Sequence, residues 1–148
     1  MNKDLTFSTT VEINAEADKV WDALVNPEKI RQYLFGTNAK SEWKVGSDIT
    51  FEGEWEGKKY KDKGKIVEIR QGQLLKYTYL SDMSGMEDTP ENYIVITFAV
   101  GSNGFHSTLA LTQDGANDEK ALEHSAQNWK MVLAKLKEVV ESEVTAAK

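Results

Sequence analysis

The sequence predicts an α+β domain: a curved antiparallel sheet wrapped around a long C-terminal helix, with two short helices after the first strand. Three observations carry this reading. The last thirty or so residues hold an uninterrupted helical stripe, the middle of the chain alternates apolar and polar residues with period two, and each region leaves an apolar face that needs the other as cover. At 148 residues without cysteine, the chain is expected to form one domain, 1–148, with a core that needs no disulfides.

The helix comes first because the strands need it. From Asn117 to Lys148, Leu122, Ala126, Trp129, Leu133, Leu136 and Val140 recur at spacings of four and three, and Ser125, Val132 and Val139 widen the stripe. Glu119, Glu123, His124, Lys130, Lys137, Glu138 and Glu141 occupy the other face, with Asn117 or Asp118 as N-cap. Some 26 residues at ~1.5 Å each make a rod of ~39 Å, too polar on one side to span a bilayer. Burying the six stripe residues is worth on the order of 10 kcal/mol gross, an upper bound. A two-stranded coiled coil would share the spacing, but the pattern lasts about three heptads and the strands upstream need a second layer.

Leu5, Phe7, Thr9, Val11 and Ile13 alternate with polar residues and predict the first strand. Asn14 is expected to cap a helix from Ala15 to Val25, and Asn26-Pro27 to end it and start a second that runs to Tyr33. Six strands follow, near 39–43, 48–56, 59–69, 74–81, 92–101 and 104–112, with a loop over 81–91 that contains Met83, Gly85, Met86 and Pro90. Gly57-Lys58 suits a two-residue turn with glycine first. That turn sets Glu56, Glu54 and Glu52 opposite Lys59, Lys61 and Lys63, and Trp55 opposite Tyr60, Phe51 opposite Gly64, Ile49 opposite Ile66 and Asp62 opposite Gly53. The parity of apolar residues then changes to Val67 and Ile69, which predicts a bulge near Gly64 or Lys65.

This order of elements resembles the helix-grip fold of the START-related (SRPBCC) superfamily. Within it, the chain is similar to homologues of the activator of the heat shock protein 90 ATPase. The resemblance rests on Val20-Trp21-Asp22-Ala23-Leu24 followed by Asn26-Pro27-Glu28, on Trp43-x-Val45-Gly46 leading to Ile49-x-Phe51, on Gly64-x-Ile66-Val67-Glu68-Ile69, on Leu75-x-Tyr77-x-Tyr79, and on Trp129-x3-Leu133-x2-Leu136. It covers nearly the whole chain and implies one of three activities: binding a small hydrophobic or amphipathic molecule, contacting a chaperone in a stress response, or an enzyme of the cyclase or hydrolase sort.

Composition narrows the chemistry. A net charge of −6 argues against general nucleic-acid binding. No segment has the length and apolarity of a membrane span, so a cytoplasmic protein is expected, as a monomer or weak dimer. HExxH, phosphate-cradling glycine loops and GxSxG are missing, and His106 and His124 both read as surface residues. No metal site, cofactor or catalytic residue is expected, and an enzyme would have to work with carboxylates, tyrosines and hydroxyls. The lysines from 58 to 65 read as a solvated, partly paired strand face. Large rings are plentiful on the face that should meet the helix, and a curved sheet gripping a helix tends to leave an apolar cleft. The candidate ligand-binding residues are therefore Trp21, Phe51, Trp55, Tyr60, Asp62, Tyr77, Tyr79, Phe98, Trp129 and Leu133, with the tyrosines as polar groups; Asp62, an acid on the apolar face, stands either in water near the open end of the sheet or as a polar anchor inside the pocket.

Overall fold

A computed structural model describes residues 2–81 and 85–146, apart from the side chains of Trp55 and 144–146. Strand β1 (Asn2–Ile13) is followed by α1 (Ala17–Val25) and α2 (Pro27–Tyr33). Then come β2 (Asn38–Ser41), β3 (Asp48–Trp55), β4 (Lys58–Arg70), β5 (Leu74–Tyr79), β6 (Ile94–Asn103), β7 (His106–Ala116) and the long helix α3 (Glu119–Ala146). The strands form one seven-stranded antiparallel sheet in the order β1-β7-β6-β5-β4-β3-β2. The helix-grip architecture expected from the sequence is the architecture found.

Asp118 caps α3, its Oδ1 accepting from the Ala121 N–H at 2.8 Å. The helix packs along β1 and β7 and against α2. Val132, Leu133, Leu136, Val139 and Val140 are buried, whereas Leu122, Ala126 and Trp129 are half-buried. The stripe is thus sealed in its C-terminal half and less fully covered in its N-terminal half. Asn26 accepts from the Glu28 N–H at 3.1 Å and Pro27 opens α2, as expected. Asn14 does not cap α1: that helix starts two residues later, behind Glu16, and the Asn14 N–H instead donates to Glu141 of α3.

The β3–β4 register corrects the sequence reading. Trp55 faces Lys58, Gly53 faces Tyr60, Phe51 faces Asp62 and Ile49 faces Gly64, so the turn residues are Glu56-Gly57 rather than Gly57-Lys58. Both have positive φ, 48° and 82°, the signature of a type I′ turn whose twist matches the strands. The shift is by two residues, so every side chain keeps its face. Glu54 now faces Lys59 and Glu52 faces Lys61, and the Lys61 and Lys40 ammonium groups approach Glu52 at 3.7 and 3.1 Å. Glutamate is a poor residue for left-handed backbone, where asparagine is the common choice. Glu56→Asn is expected to stabilise the protein by roughly 0.5–1 kcal/mol in urea melts, since Asn-Gly is the preferred I′ pair; a loss of stability would contradict this turn.

The bulge lies further along than predicted. Ile66 pairs with Tyr77 and Glu68 with Lys76, which leaves Val67 as the extra residue, pointing outward at 47% exposure. The position near Gly64 marks a different feature: a Cβ there would stand 1.6 Å from the Thr78 carbonyl oxygen, so only glycine lets β4 and β5 approach so closely. β6 and β7 run to Asn103 and from His106, turning through Gly104-Phe105, and β7 extends to Ala116 instead of ending near 112.

A candidate binding cleft between the sheet and the long helix

Alternation along the curved sheet aims one set of side chains at α3. Ala39, Phe51 and Asp62 stand in line across β2, β3 and β4; Ile66, Tyr77, Ile96 and Gln113 continue across β4, β5, β6 and β7. The rings form a connected series. Phe51 lies 5.8 Å from Tyr79 and 5.7 Å from Tyr77 between centroids, Tyr77 lies 6.4 Å from Phe98, and Phe98 meets Trp129 edge-on at 6.0 Å. Each such contact adds about 0.5–1.5 kcal/mol beyond burial.

The rings do not fill the space. Between the sheet, the N-terminal half of α3 and the α2–β2 connection lies a cleft of about 490 Å³. Of the candidate residues, Phe51, Tyr60, Asp62, Tyr77, Tyr79 and Trp129 line it. Trp21, Phe98 and Leu133 do not; they are buried in the core behind its walls. The Trp55 side chain lies outside the described residues.

Polar groups cluster in two places. The Tyr79 hydroxyl donates to Asp62 Oδ2 in a short hydrogen bond, and Asp62 is only 8% exposed. Burial, reinforced by the neighbouring Asp62 charge and by that hydrogen bond, raises the Tyr79 pKa well above the ordinary tyrosine value. Tyr60 shares a hydrogen bond of 2.6 Å with the Thr37 hydroxyl. Its ring lies where a Cβ on Gly53 would be, with the hydroxyl 2.4 Å from that position, so the glycine in β3 makes room for it.

On the helix side, Trp129 Nε1 donates to Gln113 Oε1 at 2.9 Å, and Gln113 Nε2 donates to the Gly115 carbonyl at 3.0 Å. Thr37, Gln113, Ser125 and Asn128 were not among the candidates. For Gln113 a signal existed: it shares the inward parity of Leu109 and Leu111, but lies beyond the predicted end of its strand. The exposed Phe35 at the rim, 65% accessible and at φ 54°, has no strand or helix pattern to mark it.

Both histidines are exposed. Among the described residues, no group of three or more His, Asp or Glu side chains is arranged to hold a metal ion, and no helix is long and apolar enough to cross a membrane. The outer face of β3 and β4 carries the lysines, with Lys65 3.3 Å from Asp48 and Lys63 paired with Asp88.

Comparison with known proteins places this geometry. The solution structure of ChR145 from Cytophaga hutchinsonii is 42% identical and superimposes with a TM-score of 0.83, covering 98% of this chain and 99% of that one. CalU16 from Micromonospora echinospora, 18% identical, gives a TM-score of 0.72 over 95% of this chain and 79% of that one. The Aha1 dimer from Colwellia psychrerythraea, 16% identical, gives 0.71 over 93% and 96%. These last two share the fold. No functionally curated protein matches. Residues 14–141 match the family described as "Activator of Hsp90 ATPase homolog 1-like protein", and with that match over most of its length the chain belongs to this family.

Proposed function

We propose that the chain is a binding module for a small hydrophobic or amphipathic molecule held between the concave sheet and the N-terminal half of α3. The observation that supports this most is the open cleft. Its volume of about 490 Å³ falls in the range of ligand sites, ~300–1,000 Å³, and its walls combine aromatic rings with a few fixed polar groups. Rings packed to native density would have left room for a few waters at most. Trp129, half-buried on a helix whose other end is sealed, lines the cleft, which agrees with a site kept open. The family name points to the rival reading, a contact with a chaperone, and the Colwellia relative is described as a dimer.

A thermal-shift screen of fatty acids, sterols and aromatic polyketide-like compounds distinguishes the two. A ligand of the folded state raises stability by ~2.7 kcal/mol at a hundredfold excess over Kd, worth roughly 5–10 °C in a chain of this size. At least one stabiliser is expected. Its effect should weaken in Tyr79→Phe and in Phe35→Ala, the latter removing an exposed ring at little cost to the fold. Neutralising Lys59 and Lys61 on the outer face should leave it unchanged. A screen without any stabiliser, alongside a chaperone contact abolished by outer-face changes, would favour the rival.

A further inference from the structure

We propose that the cleft selects neutral or cationic amphiphiles whose polar head donates hydrogen bonds, and turns away carboxylates; this deepens the ligand-binding reading and rests on it. The first ground is charge. Among the described residues that line the cleft, the charged side chains are Asp62 and Glu54, and no lysine, arginine or histidine is present. Asp62 sits on the floor opposite Phe51, largely withdrawn from water, where its field is weakly screened. A carboxylate head entering beside it would meet a like charge and lose its own hydration with no cation to compensate. An ammonium head would meet an opposite charge, and the faces of Phe51, Tyr77 and Trp129 are themselves attractive to cations.

The second ground is the direction of the hydrogen bonds, and it is independent of net charge. Three donors at the site are already committed to the protein. The Tyr79 hydroxyl gives its only hydrogen to Asp62, the Trp129 N–H goes to Gln113 Oε1, and Gln113 Nε2 gives one hydrogen to Gly115 O. The Asp62 end is therefore weighted toward acceptors, with the Tyr79 oxygen lone pairs and Glu54 beside the negative charge of Asp62. The Tyr60–Thr37 pair spends one of its two hydroxyl hydrogens internally and keeps one, so a hydroxyl head can both give and receive there. The other donors that line the cleft, Tyr77, Ser81, Ser125 and Asn128, are all neutral and compensate an anion weakly. An alcohol or an amine fits this inventory; a fatty or aromatic acid does not.

Titration calorimetry with three probes that share one apolar body separates the outcomes: 2-naphthylmethylamine, 2-naphthalenemethanol and 2-naphthoate, at neutral pH and physiological salt. The amine and the alcohol are expected to saturate a single site, with the naphthoate roughly 10–100-fold weaker than the amine. Asp62→Asn should bring amine and alcohol to similar affinity and narrow the gap to the acid. Glu54→Gln, an exposed change at the rim that leaves the fold intact, should reduce the amine's advantage by a few-fold and in a salt-sensitive way. Naphthoate binding as tightly as the amine overturns the selectivity while the ligand-binding reading stands. Failure of all three probes to bind overturns that reading, and the inference with it. An amine preference unchanged in a folded Asp62→Asn and in Glu54→Gln removes these acids from the account.

Discussion

Gly64→Ala is expected to destabilise the protein by at least ~3 kcal/mol, more than overpacking a core usually costs, because the new methyl meets main chain rather than a side chain that can turn aside. Its Cβ would stand 1.6 Å from the Thr78 oxygen and 2.6 Å from the Thr78 carbonyl carbon. The clash can be relieved only by parting β4 from β5 beside the place where Lys63 and Leu80 exchange backbone hydrogen bonds and the Lys65 N–H reaches Thr78 Oγ1. Tyr79 and Asp62 flank the same junction, so the wall of the cleft should loosen with it. Gly101→Ala is the control. Its Cβ has one neighbour, the Thr108 oxygen, at the ordinary distance of 3.8 Å, and stability should stay within ~1 kcal/mol of the parent. Equal midpoints for the two variants in urea would mean that β4 and β5 do not approach as described.

The second large effect is alkaline. Tyr33 and Tyr77 are buried, Tyr79 is partly so, and burial is the leading cause that raises the pKa of all three; proximity to Tyr77 adds for Tyr33, and Asp62 adds for Tyr79. The Tyr33 hydroxyl is further fixed by donating to the Ala23 carbonyl at 2.8 Å. Raised folded-state values mean that the unfolded chain gives up these protons first. The stability they confer is therefore complete below the unfolded tyrosine pKa of ~10 and declines as pH rises above it, by up to ~1.4 kcal/mol per unit for each residue. Three together give a slope of up to ~4 kcal/mol per unit, so urea midpoints should drop steeply above pH ~10, with tyrosinate absorbance appearing in the unfolding transition. Tyr79→Phe should remove about a third of the slope. Full tyrosinate absorbance in a chain that remains folded would contradict the burial of these hydroxyls.

These sites differ in how far the sequence discloses them. The helix stripe and the strand parities are repeated many times, so the fold follows from them with little ambiguity. The β3–β4 register does not, and the reason is specific. Moving the pairing by two residues keeps Ile49, Phe51, Tyr60 and Asp62 on the inner face and still sets glutamates opposite lysines. The alternating charges that made the first register attractive fit the second equally well. What decides is backbone conformation at Glu56 and Gly57, both left-handed, and glutamate gives no hint of it. Asp62 shifts from opposite Gly53 to opposite Phe51 as a result, and so from nearer the hairpin tip to the floor of the cleft.

The cleft was legible as an excess of inward rings, but composition does not say which rings line a space and which fill one. Trp21 and Phe98 are as large and apolar as Phe51 and Trp129, and Leu133 shares the stripe of Trp129, yet in the assembled fold these three lie behind the wall. Thr37 and Phe35 belong to a connection with no periodicity, so nothing short of the assembled fold brings them to the rim.

Whether the cleft holds a molecule is tested most directly by native mass spectrometry of the protein purified gently from its own host. A cleft of this volume should retain a ligand of roughly a few hundred daltons, seen as a discrete mass above the 16.6 kDa chain that disappears on denaturation and is depleted in Tyr79→Phe. The bare chain alone, under conditions in which a known cleft-binding control protein keeps its ligand, would contradict it.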